Sequence, residues 1–260
     1  MPASAARSAD VDMASSSKPV YVYGVVRADT LRDISVEGVG DAPVELVEHG
    51  DLAAVVGVLK TKNFRVKRRD LQRHLRVIEE AFGVTTILPC PFGTVVQSAK
   101  DLEETLLARR HDELLSAIGR LEHNVQMNVR AVYDEEMLLR SIVESDPEIA
   151  ALRESTQRLG EAGYFERLRL GELVAAAISE QRERDGGRLV NALAPGVVDV
   201  VVEPADDAAA LKASFLVDRD RLAAFDGKLD EVAGAEQPLL RFEVIGPLPP
   251  TAFASAYTDA

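Results

Sequence analysis

The sequence predicts an α+β protein of two domains, an N-terminal α+β domain and a C-terminal modified ferredoxin-like (βαββαβ) domain with inserted helices. Three observations predict it. The chain has 260 residues, enough for one large domain or two ordinary ones. A helical stretch closes near residue 122, directly before a clean strand alternation. From residue 125 to 246 the periodicity then reads strand, helices, strand, strand, helix, strand, the order of a split βαβ motif. The bounds are a leader at 1–18, the first domain at 19–122, the second at 123–253 and a tail at 254–260.

The leader is small and polar with no apolar h-region, so it reads as disordered and not as a secretory signal, and a cytoplasmic protein is expected. Val20–Val26, VYVYGVV, alternates as a strand does. Val44–Val47 and Leu52–Val58 flank EHGD, where Gly50 can supply the positive φ of a tight hairpin. A helix from Asp70 places Leu71, Leu75, Ile78 and Phe82 on one stripe, with Gly83 at the C-cap position. Ser98 and Asp101 have capping-box spacing before a long helix over 102–121.

In the second half Val125, Met127, Val129, Ala131 and Tyr133 alternate with Asn124, Gln126, Asn128 and Arg130. Asp146 caps a helix that opens on Pro147, and a longer helix covers 164–184. Pro195 and Gly196 end this block. Strands follow at 197–203 and 213–217, then a helix capped by Asp218 with Leu222, Phe225, Leu229 and Val232 inward, and a last strand at 239–245.

Composition and motifs exclude most chemistry. No apolar run approaches the roughly 20 residues of a membrane span. The single cysteine, Cys90, excludes an internal disulfide, and its neighbours Pro89, Pro91 and Phe92 offer nothing to stabilise a thiolate. It reads as a small buried hydrophobe. His49, His74, His111 and His123 form no metal-ligand spacing: His111 reads as a boundary residue on its helix and the others as turn or surface residues. No glycine-rich phosphate loop is present, so no cofactor is expected. A formal net charge of −13 disfavours nucleic acid as a partner. Against it stands Lys60–Arg76, with eight Lys or Arg and one acid, a local +7. Arg65, Lys67, Arg68 and Arg69 within it are the candidate partner-binding residues, suited to an acidic surface. An RNA-binding use of the cluster would call for spaced stacking aromatics with flanking basic residues, whereas the predicted central strands carry only Tyr133 and Phe215.

Four blocks taken together carry a resemblance. VYVYGVV, ILPCPFGTVV at Ile87–Val96, NVRAVYDEE at Asn128–Glu136 and GPLPPTAF at Gly246–Phe253 resemble the GvpL/GvpF family of gas vesicle proteins. Its motif positions fall here on Pro89, Phe92, Gly93 and Thr94, on Tyr133 and Asp134, and on Pro247, Pro249 and Pro250. Leu248 and Thr251 stand where the family usually has aromatic residues. The resemblance implies a non-enzymatic accessory protein of gas vesicle formation that contacts the hydrophobic shell protein GvpA and other accessory proteins, on two α+β domains, the second ferredoxin-like. It also implies that the Cys90 segment is structural, with Phe92 as a core anchor and Gly93 permitting a bend. The competing expectation is a small-molecule-binding or thiol-dependent enzyme on a ferredoxin-like fold.

Overall fold

The computed structural model describes residues 18–32, 34–60, 67–159 and 163–254. The 1–18 leader, but for Lys18, and Arg65 of the basic cluster lie outside them. The chain divides into two compact units, one running to Glu122 and resuming at Pro249, the other His123–Leu248.

The first unit is built on β1 (Val20–Arg27), whose β-branched and aromatic residues favour a pleated strand. A hairpin, β2 (Val44–His49) and β3 (Leu52–Val58), pairs through β3 with one edge of β1, turning at Gly50 with φ +58°. Two short strands, β4 (Leu88–Pro89) and β5 (Val95–Val96), pair with β1 at two points. The order is β2-β3-β1-β4, all antiparallel. Helix α1 (Arg68–Val84) covers the face that carries Tyr21, Tyr23, Ala53 and Val55. Val20 and Val22 alternate with those tyrosines and point to the other face, where α3 (His111–Leu121) meets β1. Layers on both faces explain why β1 and β3 are buried almost throughout instead of alternately.

Three expectations change here. The buried stripe of α1 is Asp70, His74, Val77, Ile78 and Ala81, which leaves Leu71 and Leu75 in solvent and puts His74 inside. Gly83 lies within the helix and does not cap it; Thr85 is the C-cap. The long helix over 102–121 is broken into α2 (Ala99–Leu102), a π-helical stretch at Glu103–Ala108 and α3. Ser98 caps this series by accepting the Asp101 N–H at 3.1 Å.

The second unit opens with β6 (Asn124–Tyr133), alternating as predicted over its C-terminal half. Helices α4 (Glu135–Ser145), α5 (Pro147–Leu159) and α6 (Tyr164–Leu193) precede β7 (Asp199–Val202), β8 (Ala209–Asp218), α7 (Leu222–Glu236) and β9 (Leu240–Leu248). Asp146 accepts the N–H groups of Glu148 and Ile149 at the start of α5. The long helix runs to Leu193, well past the expected 184. The sheet order is β7-β8-β6-β9, all antiparallel, so the connection from β6 to β7 leaves a place that β8 fills. Met127, Val129, Ala131, Leu211, Ala213 and Phe215 join the helices in one core. The opposite face is polar: Arg130 binds Asp206 and Glu243, and the Ser214 hydroxyl and Gln126 amide both donate to Asn128 Oδ1.

Gly246 explains the glycine of the last block. A Cβ there would strike Met127 Sδ and stand 2.9 Å from the Gln126 carbonyl, at the bulge where β9 crosses β6. Gly246–Pro247 is a cis peptide bond. Beyond it Pro249–Ala254 belongs to the first unit, with Phe253 and Ala254 buried, whereas the sequence reading kept residues to 253 in the second domain. The signal that sends this segment back is packing with residues distant in sequence.

Candidate functional site

The Cys90 segment is fastened to β1 from both ends. Cys90 N–H donates to the Tyr23 carbonyl at 2.9 Å, and Val22 N–H donates to the Thr94 carbonyl at 3.0 Å. Between them Thr94 closes a turn, its N–H and hydroxyl both donating to the Pro91 carbonyl. Gly93 supplies φ +96° at the tip, a conformation that other residues adopt at a cost, and its N–H donates to the Tyr21 hydroxyl at 2.9 Å. The Pro89, Gly93 and Thr94 positions thus shape a loop.

Beneath this loop lies a neutral polar cluster. The Tyr21 hydroxyl and His74 Nδ1 are 3.1 Å apart. With Gly93 donating to the Tyr21 oxygen, the hydroxyl proton is free for Nδ1, and the neutral ring donates to the Cys90 backbone. Burial pushes the His74 pKa down to about 4, against a smaller opposing effect of that backbone bond. The ring stacks on Tyr23 and meets Phe92 edge-on, with centroids 5.8 and 5.4 Å away. The Tyr23 hydroxyl accepts the Val39 N–H at 2.7 Å. Cys90 is buried beside this cluster, and burial pushes its thiol up to about 12, so it stays protonated at neutral pH.

Phe92 is not a core anchor. It is 37% exposed and, with Leu71 at 40% and Leu75 at 43%, borders an open groove of about 290 Å³. Pro89, Pro91 and Thr251 complete its walls; His74 and Cys90 line its floor. Sequence reasoning missed the leucines because α1 carries two overlapping apolar stripes that share Ile78. The alternative stripe through Val77 and Ala81 was the available signal.

The basic cluster separates into two parts. Arg69 and Arg73 are tied to Asp41, at 3.5 and 2.5 Å, and Arg73 also to Glu37 at 3.3 Å. Arg73 holds the Asp41 carboxyl below the usual carboxylate range. Lys67 and Arg68 are exposed one turn before Leu71, and neither forms a salt bridge among the described residues. Asp70 accepts the Lys67 N–H at 2.8 Å, fixing the start of α1.

Elsewhere the motif residues act in packing and capping. The Tyr133 hydroxyl donates to the buried Asp185 at 2.7 Å, and Asp134 caps α4 by accepting the Met137 N–H at 2.9 Å. Pro249 and Pro250 carry the carbonyls that accept the N–H groups of Thr251 and Phe253. His49 and His111 come within 6.3 Å, each beside a carboxylate, Glu103 and Asp112. His111 is therefore a boundary residue as read. Among the described residues no group of three or more His, Cys, Asp or Glu could hold a metal ion, and no helix is long and apolar enough to cross a membrane.

The model of the gas vesicle synthesis protein GvpL/GvpF family matches residues 19–255. The chain belongs to the GvpL/GvpF family. Gas vesicle protein F of Streptomyces sp. strain CB03234 is 35% identical over 237 residues, 90% of this chain and 98% of the relative. Gas vesicle protein L of the same strain is 30% identical over 260 residues, covering 92% of this chain and 94% of the relative. Among solved structures, the gas vesicle protein GvpF from Anabaena sp. PCC7120 superposes with a TM-score of 0.78 at 20% identity, over 92% of this chain and 98% of that one. GvpF from Microcystis aeruginosa gives 0.72 at 20% identity, over 91% and 99%. These likenesses show the mixed helix-and-sheet fold, and family membership places the chain in gas vesicle formation.

Proposed function

We propose that the chain is a non-catalytic assembly factor of gas vesicles, associated with them in the cytoplasm and binding the shell protein GvpA and fellow accessory proteins. The observation that carries this reading is the family match over residues 19–255. In this reading the protein has two α+β domains. The antiparallel order β7-β8-β6-β9 supports taking the second as a ferredoxin-like domain with three helices in its first crossover. A subunit that polymerises into a wall exposes apolar surface and strand edges before assembly, and an acidic binder shields them and keeps the pair dispersed.

The burial of Cys90 and its raised pKa count against the thiol-enzyme alternative. Thiol labelling of the native protein at neutral pH is expected to be slow and to need denaturant; rapid labelling would revive that alternative. The assembly reading is tested by co-expressing the chain with the shell protein GvpA from the same source and pulling it down. Capture is expected, weakened when Arg65, Lys67, Arg68 and Arg69 are changed to Glu. Normal vesicle yield and shape in a strain lacking this gene and its nearest paralogues would sink the reading.

A further inference from the structure

We infer that the groove between α1 and the Cys90 loop receives an amphipathic helix of a partner protein, with bulky apolar residues seated on Leu71, Leu75 and Phe92 and carboxylates over Lys67 and Arg68. This rests on the proposed role as a partner-binding assembly protein and adds the place and the chemistry of the contact.

Four features of the groove fit such an occupant. First, Leu71 and Leu75 stand one turn apart on α1, both more than a third exposed, and Phe92 faces them from the loop. Covering such a patch releases water at roughly 25 cal/mol per Å². Second, the floor is uncharged at neutral pH, since His74 and the Cys90 thiol are both held neutral by burial. It suits apolar side chains. Third, positive charge gathers at one end, where Arg68 precedes Leu71 by three residues and the N-cap Lys67 stands beside it, while the exposed Glu79 follows Leu75 by four at the other end. The positive end of the α1 dipole lies at the same place, reinforcing attraction for carboxylates. Fourth, about 290 Å³ is just under the range of about 300–1,000 Å³ usual for small-molecule pockets, and an open groove bordered by a helix suits the anchors of another helix.

The basic residues also divide in a way that fits this geometry. Arg69 and Arg73 lie around the helix from the groove and are engaged with Asp41 and Glu37. Lys67 and Arg68, beside Leu71, form no salt bridge among the described residues, and neither do Lys60 and the exposed Arg76 next to Leu75.

The test uses the full chain co-expressed with GvpA and with each gas vesicle accessory protein of the same source, one at a time. A photo-crosslinking amino acid is placed at Leu75 and, for comparison, at the exposed Phe165 of α6. Crosslinking from position 75 to an acidic, amphipathic segment of one of these proteins is expected. Leu71→Gln with Leu75→Gln should weaken capture of that protein about tenfold or more, as loss of interface anchors does. Lys67→Glu with Arg68→Glu should do the same, and exchanging the partner's acids for lysine should restore binding. Because all four positions are exposed, the variants should keep the parent's melting temperature. Capture unchanged in both double variants would overturn the groove while leaving the assembly reading intact. Crosslinking to a second copy of this chain, or to a segment without acids, would also overturn it. If the parent captures none of these proteins, both the assembly reading and the groove fall.

Discussion

The two sheets of this protein are similar in strand arrangement and unlike in cover. The first has helices on both faces, so β1 and β3 are buried nearly from end to end. The second has its helices on one face; the other is polar, open around the ion pairs of Arg130 but buried around Gln126 and Ser214, so β8 too is buried over most of its length. A doubly covered strand has no tolerant side; a singly covered one confines its stability to alternate residues. The polar clusters differ accordingly. His74 and its tyrosines are buried as neutral groups in the first unit, whereas buried Asp185 in the second is a carboxylate held by three donors.

The largest expected effect comes from charging the face of the first sheet that an ordinary half-covered sheet would leave open. Val22 is fully buried on that face. Val22→Asp strands a carboxylate there at a cost of several kcal/mol, a large part of a typical domain's stability. The first unit should be unfolded or reduced to partial structure by circular dichroism and hydrogen exchange. A folded variant with parental protection would mean that this face is not a closed layer.

The same contrast explains what could be read from the sequence. Asn124–Tyr133 was legible because one side of it is polar, and the capping residues Ser98 and Asp146 act within three residues of themselves. Val20–Val26 was legible as a strand, but its double burial was not, since the covering helices are remote in sequence. On α1 the phase went wrong because Asp70 and His74 look like surface residues. Their burial depends on the Lys67 N–H and on Tyr21, and the latter lies 53 positions away. The groove was missed for that reason. Its charged end was legible as composition, and the pairing of Arg69 and Arg73 with Asp41 was not.

The next effect is set by pH. His74 has a folded pKa of about 4, against an ordinary 6.5. Between those values the unfolded chain holds a proton that the folded chain excludes, so stability falls as pH drops from 6.5 to about 4 and levels off below. That difference corresponds to stability on the order of 3 kcal/mol. Asp185 behaves in the opposite way. Burial, the largest influence, raises its pKa, but the bonds from Arg188, Tyr133 and Gln181 outweigh it and leave the pKa lowered. Its contribution is present above the ordinary carboxylate pKa and is lost only as pH falls through the lower folded value. Hydrogen exchange on the full chain should therefore show protection falling in the first unit between pH 6.5 and 4 while the second holds. His74→Phe, which keeps an aromatic ring against Tyr23 and Phe92, should flatten the fall. Equal loss in both units would remove the distinction.

A smaller effect is expected from Asp185→Ala. The Tyr133 hydroxyl, the Gln181 amide and Arg188 lose their common acceptor, although Arg188 keeps Glu236. Hydrogen bonds to a charged group are each worth about 1.5–3 kcal/mol, and the loss should lie near that range because Arg188 is half exposed and rehydrates. Urea unfolding should show the midpoint lowered with an unchanged slope. A loss below about 0.5 kcal/mol would indicate that the buried carboxylate is readily replaced by water.

The smallest effect belongs to the polar face of the second sheet. Arg130 reaches Asp206 at 2.8 Å and Glu243 at 2.9 Å, and these contacts lower both carboxyl pKa values. The geometry is good, but Asp206 and Glu243 are both more than a third exposed, so water and salt screen the attraction. Arg130→Ala should cost about 1 kcal/mol or less, and the difference from the parent should shrink as salt is raised. The comparison with Val22 is then direct: each position lies on the face of its sheet opposite the helix that follows the hairpin or crossover, and only the covering layer differs. A penalty of several kcal/mol at Arg130, insensitive to salt, would show that the polar face is itself closed from solvent and that the two sheets are covered alike.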